Sequence, residues 1–155
     1  MADNIETRLG ELGIELPENA ASVANYVPVA RTGDLLFVSG QLPMKDGKVV
    51  WTGTVGDLLS LEEGAEAARL CAINMLAQLR AALDGDLNRV KRVVRLGGFV
   101  ASADDFSGQS QVINGASDLM VDLFGDAGRH ARAAVGVNVL PLGAAVEVEG
   151  LFEAP

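Results

Sequence analysis

Residues 60–83 form one long amphipathic pattern, and that run limits the folds open to the chain. Ser60-Leu61-Glu62-Glu63 is a capping box, in which the serine hydroxyl accepts from the free amide of Glu63 while the Glu63 carboxylate reaches back. From there Ala65, Ala68, Ala72, Met75, Leu76, Leu79 and Leu83 recur every three or four residues, which predicts a helix with one apolar stripe to bury. Asp84-Gly85-Asp86 stops it. A second stripe of Val112, Ile113, Ala116, Leu119, Met120 and Leu123 predicts another helix over about 109–124, with Gly125 as its stop.

Two helices with one apolar side each need a partner surface, and the intervening segments supply β-type patterns. Tyr26–Ala30 and Leu35–Ser39 flank Arg31-Thr32-Gly33-Asp34 and read as a hairpin. Pro28 cannot donate to a ladder, so its N side belongs at an edge or a subunit boundary. Lys45-Asp46-Gly47-Lys48 is a turn, followed by a short strand at 49–53. Val90–Ala101 alternates, with Val90, Val94 and Leu96 assigned to one face and Gly97-Gly98 to a bend or bulge. Two last strands, Ala133–Leu140 and Ala144–Phe152, surround Pro141-Leu142-Gly143. A short helical pattern over residues 5–15, carried by Ile5, Leu9 and Leu12, precedes everything and ends at Leu16-Pro17. The interleaving predicts an α+β domain with one mixed β-sheet and both long helices on one face. The other face then calls for oligomerisation.

At 155 residues the chain is expected to be a single domain, 1–155, with one core. Aromatics are scarce, so that core must be aliphatic. A formal charge of −9 without a Lys/Arg run argues against nucleic acid as a partner. One cysteine, Cys71, excludes an intramolecular disulfide, and it reads as a small core residue in mid-helix; one histidine, His130, argues against a His-based zinc site. No apolar run approaches the roughly 18–20 residues of a membrane span, and the N-terminus lacks a signal-peptide pattern. A cytoplasmic protein without a bound metal is expected. No P-loop, dinucleotide fingerprint or nucleophile elbow is present.

The chemistry-bearing residues collect in the last quarter. Arg132 stands at the start of an apolar strand, where its guanidinium fork is suited to grip a carboxylate. Glu147 and Glu149 alternate with Val146 and Val148, which sends both carboxylates to one face. A hairpin at Pro141-Leu142-Gly143 would return Ala144–Glu149 alongside Asn138–Ala133 and bring a glutamate near Arg132. His130 is a candidate base, although a single histidine beside a glycine-rich turn is more often incidental. Ser39-Gly40-Gln41 ends a strand and offers backbone amides. Asn114-Gly115-Ala116-Ser117 brings polar groups to the second helix.

Val38-Ser39-Gly40-Gln41, Asn114, Ala131-Arg132, Leu140-Pro141 and Val146-Glu147-Val148-Glu149, in this order and spacing, resemble the RidA (YjgF) family, also labelled endoribonuclease L-PSP-like. The resemblance covers about residues 22–153. It implies a chorismate-mutase-like fold assembled as a homotrimer with ligand clefts between subunits. It also implies hydrolysis, with no cofactor, of small 2-imino and enamine acids to 2-keto acids and ammonia. Arg132 matches the arginine that binds the substrate carboxylate, and Glu147 the glutamate that orients water. Tyr26, Ser39, Gly40 and Asn114 match positions lining the pocket. The chain departs from the family in three places. Ala133-Ala134 replaces the usual Ser-Cys after the arginine, the segment between Phe106 and Asn114 is about four residues longer, and residues 1–21 form an extension. These departures resemble a longer subgroup of the superfamily. The alternative to a hydrolase is a non-catalytic trimer that binds a small carboxylate metabolite.

Overall fold

Asn4 caps the first helix, α1 (Ile5–Glu11), by accepting from the Glu6 amide at 2.9 Å, and it leaves Ile5 and Leu9 buried. Gly13 takes a positive φ of 69° and ends the helix there, earlier than the apolar pattern over 5–15 suggests. The Ile5 amide donates to Asn88 Oδ1 at 3.0 Å, and Glu6 meets Arg80 at 3.3 Å. The computed structural model describes residues 4–18 and 25–155, so residues 1–3 and 19–21 of the N-terminal extension lie outside it.

A hairpin follows, β1 (Val29–Thr32) and β2 (Leu35–Gln41), closed by the two-residue turn Gly33-Asp34 with Gly33 at φ 56°. A small second hairpin pairs β3 (Met44–Lys45) with β4 (Lys48–Val49). The capping box forms as read: the Glu63 amide donates to Ser60 Oγ and the Ser60 amide to Glu63 Oε1, each at 3.1 Å. It opens α2 (Leu61–Ala82). Then come β5 (Arg92–Ala101), α3 (Gln109–Phe124), β6 (Ala131–Val137) and β7 (Val146–Glu153).

The main sheet has the order β1-β2-β7-β5-β6; only β5 and β6 run parallel. Both long helices lie on one face, as the two apolar stripes require. Cys71, Ala72, Met75, Leu76 and Leu79 of α2 and Val112, Ile113, Ala116 and Met120 of α3 are buried against Leu36, Val38, Val93, Leu96, Val100, Val146, Val148 and Phe152 of the sheet. Each large aliphatic side chain removed from water here contributes about 1.5–3 kcal/mol. Gly98 and Gly150 let the helices settle close, because added Cβ atoms would strike Ile113 and Met75. The opposite face carries no helix, and Phe37 and Val135 are exposed on it.

Two strand-level expectations need correction. The irregularity in β5 falls between Val93 and Arg95, not at Gly97-Gly98, which pair in register with Glu149 and Val148. The bulge puts Val93, Leu96 and Val100 on the helix side in place of the Val90–Val94–Leu96 set. More consequentially, β6 and β7 do not form a hairpin. β5 lies between them, parallel to β6 through the α3 crossover and antiparallel to β7. The connection after β6 passes over the end of β5, where Leu140, Ala144 and Ala101 form a small second core, and the Gly53 amide donates to the Gly143 carbonyl at 3.1 Å. Among the described residues no helix is long and apolar enough to cross a membrane.

Candidate functional site

The strand order divides the sequence-selected residues into two groups on opposite faces of the sheet. In register, Arg132 is opposite Leu96, which is opposite Gly150; these side chains belong to the helix side. Glu147 is opposite Phe99 and Glu149 is opposite Gly97, on the helix-free side. A glutamate beside Arg132 within one chain, as the hairpin register had implied, is therefore not what this topology produces.

On the helix-free side, a groove of about 740 Å³ runs over β2, β7 and β5, lined by Tyr26, Ser39, Gly40, Arg95, Glu149 and Leu151 among others. Ser39 fastens the segment that carries Tyr26: its hydroxyl donates to the Val27 carbonyl at 2.7 Å and its amide to the Pro28 carbonyl at 2.9 Å. Gly40 is required by space rather than by a turn, since its missing Cβ would occupy the position of the Glu147 carboxylate. Glu147 is half-buried and, among the described residues, has no hydrogen-bond or ion-pair partner. Burial, and then the like charge of Glu149, push its carboxyl above the ordinary value. Glu149 is itself 3.5 Å from Arg95, with both side chains about half exposed, so this pair contributes little to stability. Gly97 leaves room for that pair to cross the strand.

On the helix side, at the β6 edge, Asn114 and Ser117 lie one turn apart on α3 and both face Arg132. The Nη1 of Arg132 donates to Asn114 Oδ1 at 2.7 Å and to Ser117 Oγ at 3.1 Å. Both acceptors are neutral, and among the described residues no carboxylate comes within ion-pair distance of this guanidinium. With both Nη1 hydrogens used, the Nε–Nη2 edge keeps its donors free, which is the edge that binds a carboxylate side-on. His130 completes the cluster, with Nε2 at 2.8 Å from Ser117 Oγ and Nδ1 at 2.6 Å from the Gly128 carbonyl.

Thus the fold joins Arg132 to Asn114, and packs Glu147 against Gly40, which lines the groove with Ser39 and Tyr26. Ser117 and His130 are not among the pocket residues that the resemblance assigns, although the sequence offers His130 as a candidate base and Ser117 as a polar group of the second helix. Their signal is spacing: Asn114 and Ser117 at i, i+3 share a helix face, and His130 and Arg132 at i, i+2 share a strand face. Ala133 stands opposite Gly97 on the groove side. Cys71 is buried and its thiol is pushed well above its ordinary value by burial, then by Glu147. Among the described residues no three His, Cys, Asp or Glu side chains converge to hold a metal ion.

Comparison with known proteins agrees with this architecture. A family profile described as "YjgF/chorismate_mutase-like, putative endoribonuclease" matches residues 6–153. Protein TCP17 of Trypanosoma cruzi is 53% identical over 150 residues, covering 96% of this chain and 93% of its own. The crystal structure of protein Atu1372 from Agrobacterium tumefaciens, of unknown function, superposes with a TM-score of 0.92 at 52% identity, over 97% of this chain and 92% of that one. The YjgF gene product of E. coli, at 23% identity, shares the fold with a TM-score of 0.63 over 88% of this chain and 93% of its own. The chain thus belongs to the YjgF/RidA superfamily, of chorismate-mutase-like fold.

Proposed function

We propose that this protein hydrolyses small 2-imino or enamine acids to 2-keto acids and ammonia without a cofactor, in a cleft completed by a second copy of the chain within a homotrimer. The observation that carries the reading is Arg132, a guanidinium anchored at Nη1 by two neutral acceptors with its side-on donor edge free. Such an edge takes a carboxylate bidentately. Glu147, half-buried and unpartnered among the described residues, is the base-side counterpart. Because the two lie on opposite faces of one sheet, the helix-free face of one subunit would have to meet the β6 edge of another to bring them together. The exposed Phe37 and Val135 on that face favour such burial.

In that cleft Arg132 and Asn114 hold the carboxylate end, while Tyr26, Ser39 and Gly40 wall the other side. Glu147 accepts a hydrogen bond from one water and aims it at the C=N carbon. Addition gives a carbinolamine; C–N cleavage then releases ammonia and leaves the keto group, with the water oxygen retained in the product. Positioning supplies most of the gain for a substrate already this reactive. A cytoplasmic location suits a substrate released there by amino-acid-metabolising enzymes. Ala133-Ala134 favours the second reading, a trimer that binds a small carboxylate without turning it over. A ribonuclease is disfavoured by the net charge of −9.

The test is the decay of 2-iminobutyrate or 2-iminopropionate generated in situ. Wild type is expected to accelerate it over buffer, and Arg132→Ala to remove most of that gain. No acceleration by wild type sinks the hydrolase, whereas binding of 2-keto acids that depends on Arg132 would then support the binder. Light scattering that reports a monomer at working concentration would remove the shared cleft.

A further inference from the structure

We infer that Ser117 and His130 are positioning residues for Arg132, joined in a directed hydrogen-bond chain that sets the guanidinium edge presented to a carboxylate; this rests on Arg132 being the carboxylate anchor. The direction follows from donor and acceptor inventory. The Gly128 carbonyl can only accept, and it lies 2.6 Å from His130 Nδ1, so Nδ1 carries the proton. In the neutral ring Nε2 is then an acceptor, and at 2.8 Å it takes the single hydroxyl hydrogen of Ser117. With that hydrogen committed, the lone pairs of Ser117 Oγ remain for Arg132 Nη1 at 3.1 Å. Asn114 Oδ1 takes the other Nη1 hydrogen at 2.7 Å.

The far end of the chain is rigid. Gly128 is buried and packs so closely on α3 that an added Cβ would strike the Met120 carbonyl. The chain therefore starts on the backbone beside α3, passes through His130 and Ser117, and returns to Arg132 at the β6 edge. Asn114 alone would leave the guanidinium free to swing about one contact; the second acceptor fixes its plane. A histidine with the proton on Nε2 would oppose two acceptors at Nδ1 and the Gly128 carbonyl and would leave the Ser117 hydroxyl hydrogen without its acceptor, so the tautomer is part of the device.

His130 is the single histidine of the chain, so its ring nitrogens give one unambiguous set of NMR signals. Long-range proton–nitrogen correlation on the full-length protein is expected to show the neutral ring protonated at Nδ1; a ring protonated at Nε2 overturns the chain. Binding of 2-oxobutyrate is measured in parallel by calorimetry, a readout independent of turnover. Ser117→Ala and His130→Leu are expected to weaken it about tenfold, the loss of roughly one charge-assisted hydrogen bond. His130→Gln, whose amide can still accept from Ser117, should stay within about threefold of wild type, which a merely space-filling role for the ring would not predict. Unchanged binding in folded Ser117→Ala, beside lost binding in Arg132→Ala, refutes the positioning role and leaves the anchor standing. Unchanged binding in Arg132→Ala, or none in wild type, removes the anchor itself and the positioning role with it.

Discussion

Replacing Gly115 by alanine adds one methyl group where the two long helices meet. Gly115 is in the second turn of α3, and the space its Cβ would take is occupied by the backbone carbonyl of Ala65 in α2. Helix propensity alone favours the alanine by about 1 kcal/mol. Overpacking opposes it by about 1–3 kcal/mol. The upper end applies, because a backbone carbonyl cannot rotate aside, and a Cβ added at the neighbouring Gly64 would itself come within 3.2 Å of Val112, so the helices cross closely there as well. The net cost is about 2 kcal/mol, equivalent to roughly 6 °C in Tm for a chain of this size. Thermal unfolding at equal protomer concentration measures it, since assembly would make Tm concentration-dependent. Gly10→Ala in α1 is the control: nothing lies within 4 Å of its added methyl, and its Tm should hold or rise. The same displacement moves Asn114 and Ser117, which lie within two residues of Gly115, so 2-oxobutyrate binding should weaken as well. A Gly115→Ala protein that melts at or above wild type would refute the close helix crossing and the link from it to Arg132.

Three further outcomes follow from the buried ionisable groups Glu147 and Cys71. Glu147 has its folded pKa raised from an ordinary value of 4.5, so the stability tied to its protonated form is full below that value and lost as pH rises through the folded pKa. Glu147→Gln should therefore match wild type in acid and become the more stable of the two toward neutral pH, while Glu149→Gln should lower the Glu147 titration followed by carboxyl carbon NMR; an equal Tm difference at both ends of that pH range contradicts the assignment. Cys71, fully buried with its thiol pushed upward, should react with a chromogenic disulfide on the order of 10³-fold more slowly in the native protein than in denaturant, and labelling at the free-thiol rate would show that α2 opens readily.

Where the relevant physics is local, the chain declares its structure. The capping box at Ser60, the apolar stripes of α2 and α3, the Gly125 stop and the alternation of Val146-Glu147-Val148-Glu149 all appear as read, because each depends on neighbours within a turn or along a strand. Family resemblance and the mixed sheet with helices on one face were legible for the same reason, being ordered local patterns. The bulge in β5 was placed at its glycines, yet those glycines serve Ile113 and Glu149, contacts made by elements far away in sequence.

The relation between Arg132 and Glu147 shows the limit most clearly. Local pattern is enough to put Arg132 at the opening of a strand and Glu147 on one face with Glu149, since the side-chain period of a strand is two. Which strands become neighbours is settled by long-range packing, and β5, paired in parallel with β6 through the α3 crossover, lies between β6 and β7. Strand order is a competition among long-range pairings, which no local period encodes. With β5 interposed, Arg132 turns to α3 and its Asn114–Ser117–His130 contacts, while Glu147 turns to the open face against Gly40. Two residues separated by a single short loop thus come to serve opposite sides of one sheet.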